Sequence, residues 1–313
     1  MDRLPHAPGV YRFRGPGGRV LYLGRAVDLR RRVASYWGDL RDRRHLRVMV
    51  GRVERVEAVS CDSAHEAAWM ERNLLPARRP PWNRSRGEEV PVLVRLDARP
   101  RSVGLAVVHQ EPAVAVGVEY FGPYLGGVRA RLAVAGLGRV LPLAYAAEGL
   151  SGCQVDLGRV LGIDRLDREA LLATLRQVLG GEADAVQRVR AELAACRDAA
   201  AAALAFERAG QVQAELEALD WLVAEQKVTV RVPAGTAMGA ADGVPVGTPV
   251  ERQDVAGWAD GVLVRFEIQG GVLRSWSQRR CSQTAAQPWL AATPPGWTAF
   301  AQRNAELAAA LAG

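Results

Sequence analysis

Apolar residues first gather over Val10, Tyr11 and Phe13 and again over Val20–Leu23, two β-branched and aromatic runs. Between them lies Arg14-Gly15-Pro16-Gly17-Gly18, dense in turn residues, so a hairpin is expected over roughly 9–23. Asp28 to Tyr36 reads as a helix with Leu29 and Val33 four apart on its apolar stripe, and Arg41 to Met49 as a second, basic one. Arg52 to Val59 mixes valines and charges and reads as a strand. Ser63-Ala64-His65-Glu66 has the form of a capping box opening a helix to Leu75, and Pro76 and Pro80-Pro81 end that region.

Beyond it, Val90 to Val118 is strand-like, Tyr120-Phe121-Gly122-Pro123-Tyr124 reads as a turn, and a helix is expected over 128–141. Residues 165–180 and 183–228 are rich in Ala, Leu, Glu and Arg, with a break at Leu204-Ala205-Phe206-Glu207 that suits an antiparallel helical hairpin. Residues 232–250 are rich in Gly and Pro and read as a linker, 261–274 as a β-hairpin, and 298–311 as an amphipathic helix.

Length and composition bound the class. At 313 residues, 49% hydrophobic and 24% charged, the chain has room for several cores. It has no run of eighteen apolar residues and no apolar N-terminal region, so a cytoplasmic protein without membrane attachment is expected. Its cysteines, Cys61, Cys153, Cys196 and Cys281, form no CxxC pair, which argues against a disulfide framework or a zinc site. His6, His45, His65 and His109 lack paired spacing, and surface or capping roles are expected for them. The tryptophans Trp258, Trp276, Trp289 and Trp297 suit core packing better than base stacking.

Charge changes the picture more. Residues 1–90 carry 19 arginines against 11 acidic residues, a net +8, while the other 223 residues are near neutral. Phenols and guanidiniums around one small sheet suit an anionic phosphodiester better than a neutral metabolite. A tyrosine on each strand of a hairpin is, alone, more often plain packing. Glu71, at the edge of the Ala67, Met70, Leu74 stripe, is more often a solvated helix residue; facing the basic hairpin, it would be the only nearby hard ligand for a divalent cation.

Several separated blocks, in order, carry a family resemblance. Leu4-Pro5 to Pro8-Gly9-Val10-Tyr11 is followed by Val20-Leu21-Tyr22-Leu23-Gly24-Arg25-Ala26. Leu29-Arg30-Arg31-Arg32-Val33 with Ser35-Tyr36 comes next, then Glu66-Ala67, Glu71-Arg72-Asn73-Leu74 and Arg79-Pro80-Pro81-Trp82-Asn83. Residues 1–85 thus resemble the GIY-YIG nuclease domain of the excinuclease UvrC and its shorter Cho-type relatives. The resemblance implies an active site at Tyr11, Tyr22, Arg25, Arg32, Tyr36, Glu71 and Asn83, with Arg25 where a lysine is usual. Glu71 would hold one Mg2+ or Mn2+, Tyr22 would be the base, its phenolate favoured by Arg25 and the metal, and Arg32 would face the transition-state oxygens. Arg30 and Arg31 would be general phosphate contacts.

The resemblance continues through Tyr120–Tyr124, Val128-Arg129 and Leu141-Pro142-Leu143. Leu204–Ala209 is similar to the UVR hairpin that docks on the UvrB helicase, with Phe206 and Glu207 as contacts, although Gln213 and Ala214 replace the usual Arg-Asp pair. Only Cys153 lies where the family has a four-cysteine motif, so no iron–sulfur cluster is expected. Residues 254–280 look like the opening strands of the UvrC C-terminal half, without that half's second nuclease site. The expected class is α+β: a nuclease domain at 1–88 with a short antiparallel sheet flanked by helices, an α/β middle region at 89–182, a helical hairpin at 183–230, and a linker with a small β-containing segment at 231–313. The expected activity is a metal-dependent single incision of double-stranded DNA, 3′ to a lesion. The alternatives are a GIY-YIG nuclease outside repair and a non-catalytic adaptor for DNA or UvrB.

Overall fold

The computed structural model describes residues 2–38, 44–75, 80–83, 90–109, 115–160, 168–224, 252–270 and 272–312. The linker reading of 232–250 therefore lies outside the described residues, as does the side chain of His45. The elements form two compact units: one gathers the described parts of 1–87 and 247–313, the other those of 88–224.

In the first unit, β1 (Gly9–Arg14), β2 (Val20–Ala26) and β3 (Arg55–Ser60) make an antiparallel sheet in the order β2-β1-β3. The expected hairpin is there, closed by Gly17 and Gly18 at positive φ. Alternation along each strand gives the sheet two different faces. Tyr11, Phe13, Tyr22 and Ala58 share one face, which packs with Leu29 and Val33 of α1 (Leu29–Ala34), Tyr36, and Leu46 and Met49 of α2 (Arg44–Val50). Val10, Arg12, Leu23, Glu57 and Val59 share the other.

That second face is covered by α3 (Ala64–Leu74) and by the C-terminal part of the chain. Here β7 (Arg252–Ala259), β8 (Val262–Gln269) and β9 (Val272–Arg280) form an antiparallel meander, followed by α9 (Gln283–Ala291) and α10 (Thr298–Ala312). The hairpin expected at 261–274 is thus two strands of three; β7 escapes the sequence pattern because Arg252-Gln253-Asp254 hides its apolar half. Helix α10 lies so close to β7 that a Cβ on Gly257 would run into the Ala301 carbonyl oxygen. The buried Asn304 of α10 accepts from the Ser60 amide at 2.7 Å and donates to the Ser60 carbonyl at 3.1 Å, closing the end of β3 as a strand would.

A charge sits inside this interface. Glu57 is 1% exposed, and its carboxylate takes Arg12, Arg14 and Arg55. Arg12, also buried, lies 3.8 Å over the Trp276 ring and donates to the Trp276 carbonyl at 3.0 Å. Burial alone would raise the Glu57 pKa, but Arg12 and Arg14 overcome it and hold the group below its ordinary value.

The second unit has a core of its own. Strands β4 (Val92–Asp97), β5 (Gly104–Val108) and β6 (Val118–Tyr124) pair in the order β5-β4-β6. Around them stand α4 (Gly127–Val140), α5 (Gly152–Val160), α6 (Arg168–Leu179), α7 (Ala183–Ala202) and α8 (Phe206–Leu222). Residues 120–124, expected as a turn, belong to strand β6; Gly122-Pro123 is tolerated because β6 is an edge strand. The helical hairpin breaks where expected, with Leu204 at φ 58°. It is no separate body: Leu193, Val212, Leu216 and Leu219 share one core with Val94, Leu96 and Leu137, and Arg139 of α4 forks onto the buried Glu215 at 2.8 Å. His65 departs from its expected surface role, being fully buried and stacked on Trp69 at the start of α3.

Because Arg12 is buried with Glu57, the neutral Glu57→Gln substitution should destabilise the first unit by about 3–5 kcal/mol, the cost of stranding a buried guanidinium. Urea unfolding at pH 7 measures it. The stability from Glu57 ionisation is present above the ordinary carboxylate pKa near 4 and lost as pH falls through the lower folded value, so the gap between variant and wild type should narrow on acidification.

Candidate active site

Strand β2 is the edge on which the expected site residues meet. Tyr11 pairs with Gly24 across the β1–β2 ladder, and Tyr22 with Phe13. A Cβ on Gly24 would lie 2.7 Å from both the Tyr11 hydroxyl oxygen and Tyr22 Cε1, so a hydrogen at this position is what lets both phenol rings lie across the strand. The rings of Tyr11 and Tyr22 are 6.1 Å apart, and each lies within 6 Å of the Tyr36 ring. The Tyr11 and Tyr36 hydroxyls hydrogen-bond at 2.7 Å, and Arg32 Nε donates to the Tyr11 hydroxyl at 3.4 Å with its guanidinium 5.3 Å from the Tyr36 ring. Short α1 puts Arg32 there: Asp28 caps its start by accepting from the Arg31 amide at 2.8 Å, and Leu29 and Val33, buried in the core that holds Tyr11, bring Arg32 up beside that ring.

Glu71 reaches the site from α3. The capping box forms, Ser63 Oγ accepting from the Glu66 amide at 3.0 Å, while the Glu66 carboxylate accepts from the amide of Asp62, one residue before the cap. Glu71 meets Arg25 Nε of β2 at 3.3 Å, with side chains 22% and 42% exposed, so both are reachable from water. Asn83 sits on the outer edge of β2. Its Oδ1 accepts from the Leu23 amide at 2.9 Å and its Nδ2 donates to the Leu23 carbonyl at 2.7 Å, while the Trp82 amide donates to the Leu21 carbonyl at 3.2 Å. This segment pins the residue between Tyr22 and Gly24.

Protonation differs from the expectation that Arg25 favours a Tyr22 phenolate. Arg25 is engaged by Glu71. Burial, then the neighbouring Tyr36, push the Tyr22 phenol well above its ordinary value, against a downward pull from Arg32, and Glu71 adds to the rise. Burial raises Tyr11 as well. The chain's own charges therefore leave both tyrosines neutral at pH 7. The two arginines expected as phosphate contacts also diverge. Arg30 donates to the backbone carbonyls of Leu4 and Asp2 and so ties down the N-terminal lead-in, whereas Arg31 is exposed on α1. Phe206 lies at the turn of the hairpin in the other unit, 67% exposed, with Glu207 beside it, also exposed. Gly24 was absent from the expected site, although the Tyr22-Leu23-Gly24 spacing marked it.

Both phenols are raised by the fold, so they stabilise it below pH ~10, and that contribution is lost as the pH climbs beyond. At about pH 10.5 the Tyr11→Phe protein should show the same phenolate absorbance as the parent. A loss equivalent to one tyrosinate would mean Tyr11 ionises normally.

The UvrC-like GIY-YIG domain family matches residues 7–84. A UvrABC system protein C of Geobacter metallireducens is 37% identical over 150 residues, 46% of this chain and 24% of that protein. Another, from Desulforudis audaxviator, is 32% identical over 246 residues, 73% of this chain and 38% of that protein. A putative bifunctional exonuclease/endonuclease protein of Mycobacterium tuberculosis is 45% identical over 83 residues, 26% of this chain and 13% of that protein. The solved GIY-YIG N-terminal endonuclease domain of UvrC from Thermotoga maritima, bound to magnesium as its catalytic divalent cation, is 28% identical with a TM-score of 0.24, over 26% of this chain and 88% of that one. The chain spans only 24% to 38% of the length of these two UvrABC system protein C relatives.

Proposed function

Residues 7–84 are a UvrC-like GIY-YIG domain, and from that premise we propose that the chain is an endonuclease hydrolysing a phosphodiester bond of double-stranded DNA in nucleotide excision repair, by a single incision on the 3′ side of a lesion. The observation that carries the reading is the meeting of Tyr11, Tyr22, Tyr36, Arg32, Arg25 and Glu71 along one edge strand.

Glu71 fits a hard divalent cation, Mg2+ or Mn2+. It is a partly exposed carboxylate, and among the described residues no three His, Cys, Asp or Glu side chains come together as a metal cluster. One carboxylate with waters and a substrate phosphate is a usual coordination for such ions. Bound there, the ion would supply Lewis-acid stabilisation of the phosphoryl oxygens and a more acidic water. Arg32 is the fixed positive charge for the oxygens of the five-coordinate transition state. Tyr11 and Tyr36, hydrogen-bonded to each other, hold the hydroxyls that orient the attacking water and the phosphate. Tyr22 is the proton acceptor in its phenolate form, its own proton having first passed to solvent. Arg25, the counter-charge of Glu71, lies close enough to serve a phosphate arriving at that carboxylate. Asn83 keeps β2 straight beneath these groups, and Arg31 is a phosphate contact outside them.

For partners, exposed Phe206 and Glu207 suit docking on the UvrB helicase. Against it, Gln213 is engaged within the chain, accepting from Arg197 at 2.8 Å and donating to Glu217 at 3.0 Å. That observation favours, as a second reading, a GIY-YIG nuclease that acts without UvrB and outside repair.

Glu71→Ala or Arg32→Ala should lower Mg2+-dependent nicking of a lesion-bearing duplex at least about 100-fold with DNA binding kept. Wild-type nicking by either variant would remove the assignment. Nicking by the parent that ignores both the lesion and added UvrB selects the second reading. Because Tyr22 holds its proton on the chain's own charges, the nicking rate should rise with pH from about 7 to 9; a flat profile would exclude Tyr22 as the base.

A further inference from the structure

Strand β9 brings an arginine to the side of the site that faces away from the tyrosines. A small open cleft is walled by Leu23 of β2, Leu74 of α3 and Pro80, and by Arg274, Ser275 and Trp276 of β9. Arg12 and Val20 complete the lining, which contains no carboxylate. Arg12 is committed to Glu57 and Trp276. Arg274 is exposed and meets no carboxylate among the described residues.

The cleft continues the elements that carry the site. Leu23 is two residues from Arg25 on the same face of β2, about 7 Å along the strand. Leu74 is three residues beyond Glu71, a neighbour on the same face of α3, about 4.5 Å along the axis. From the Arg25–Glu71 pair, both elements thus lead into the cleft that Arg274 lines. A guanidinium at the mouth of a cleft whose lining contains no carboxylate can seat a phosphate, since its fork matches two phosphate oxygens.

We propose that Arg274 binds a backbone phosphate flanking the bond that is cut, so that the C-terminal sheet forms part of the DNA-binding surface. This rests on the nuclease reading for the position of the scissile bond. Arg274 touches no reacting atom; it sets where the strand lies.

Duplex binding by the full chain, measured in Ca2+ across a salt series, tests this separately from cleavage. Arg274→Gln should weaken binding about 3–10-fold and lower the slope of log K against log salt by about one. Arg274→Lys should restore most of the affinity, because the charge is kept, and nicking of saturating DNA in Mg2+ should change less than about twofold. The exposed Arg159→Gln of α5 serves as a control for loss of any surface charge and should bind as the parent does. Parental affinity and salt slope in Arg274→Gln, or an equal loss in the control, would overturn the proposal. A parent chain that binds but never nicks removes the nuclease reading and leaves the phosphate contact standing. A parent chain that does not bind duplex DNA removes both.

Discussion

A carboxylate in the middle of an apolar interface is the constraint around which the first unit is built. Glu57 lies on the face of the N-terminal sheet that the C-terminal strands cover, and a lone charge there would cost several kcal/mol. Arg12, Arg14 and Arg55 neutralise it, and Arg12 in turn needs somewhere to put a buried guanidinium. The ring and carbonyl of Trp276 supply that place. Such a knot is worth little as net stability against a well-packed apolar core, but it admits one arrangement of the two sheets, because any slip strands a charge. Helix α3, which carries Glu71, is held between them. The position of a group on the reactive edge thus depends on ionic pairing behind it.

The reactive edge is built on the opposite principle. Two phenols crowd a glycine, Tyr36 and Arg32 close on one of them, and dense burial keeps Tyr11 and Tyr22 neutral. The charged members, Arg25 and Glu71, stand at the rim and neutralise one another where water reaches them. A dry, preorganised interior beside a wet, exchangeable ion pair suits a substrate that brings its own negative charge, since a phosphate can exchange partners at the rim without disturbing the rings.

Local chemistry made much of this legible from residues alone. The turn-rich stretch between two aromatic runs identified the β1–β2 hairpin, Ser63 and Glu66 the start of α3, and the break at Leu204 the helical hairpin. The grouping of Tyr11, Tyr22, Arg32, Tyr36, Glu71 and Asn83 was expected only through family resemblance, because tyrosines on paired strands are ordinarily packing. What stayed hidden was non-local. Glu57 looked like the polar half of a strand because its partner is 45 residues away. Gly122-Pro123 resembles a turn unless the strand holding it is known to be an edge. Arg25 was expected to act on Tyr22, and its capture by Glu71 depends on where α3 packs. The C-terminal strands read as a separate segment because their apolar faces do not announce what they cover.

The bonds that close the N-terminal sheet span long stretches of chain: Asn304 to Ser60 across 244 residues, and Trp276 to Arg12 across 264. Contacts of such separation are slow to form, because the loop they close must be ordered before they stabilise anything. During synthesis, residues 9–60 would leave the ribosome long before Trp276 and Asn304 exist to meet them. The end of β3 and the charged face behind the tyrosines would wait uncovered for that interval. A chain interrupted before residue 272 would present those surfaces without their lids, and the assembly of the tyrosine-bearing sheet is timed to the arrival of β9 and α10.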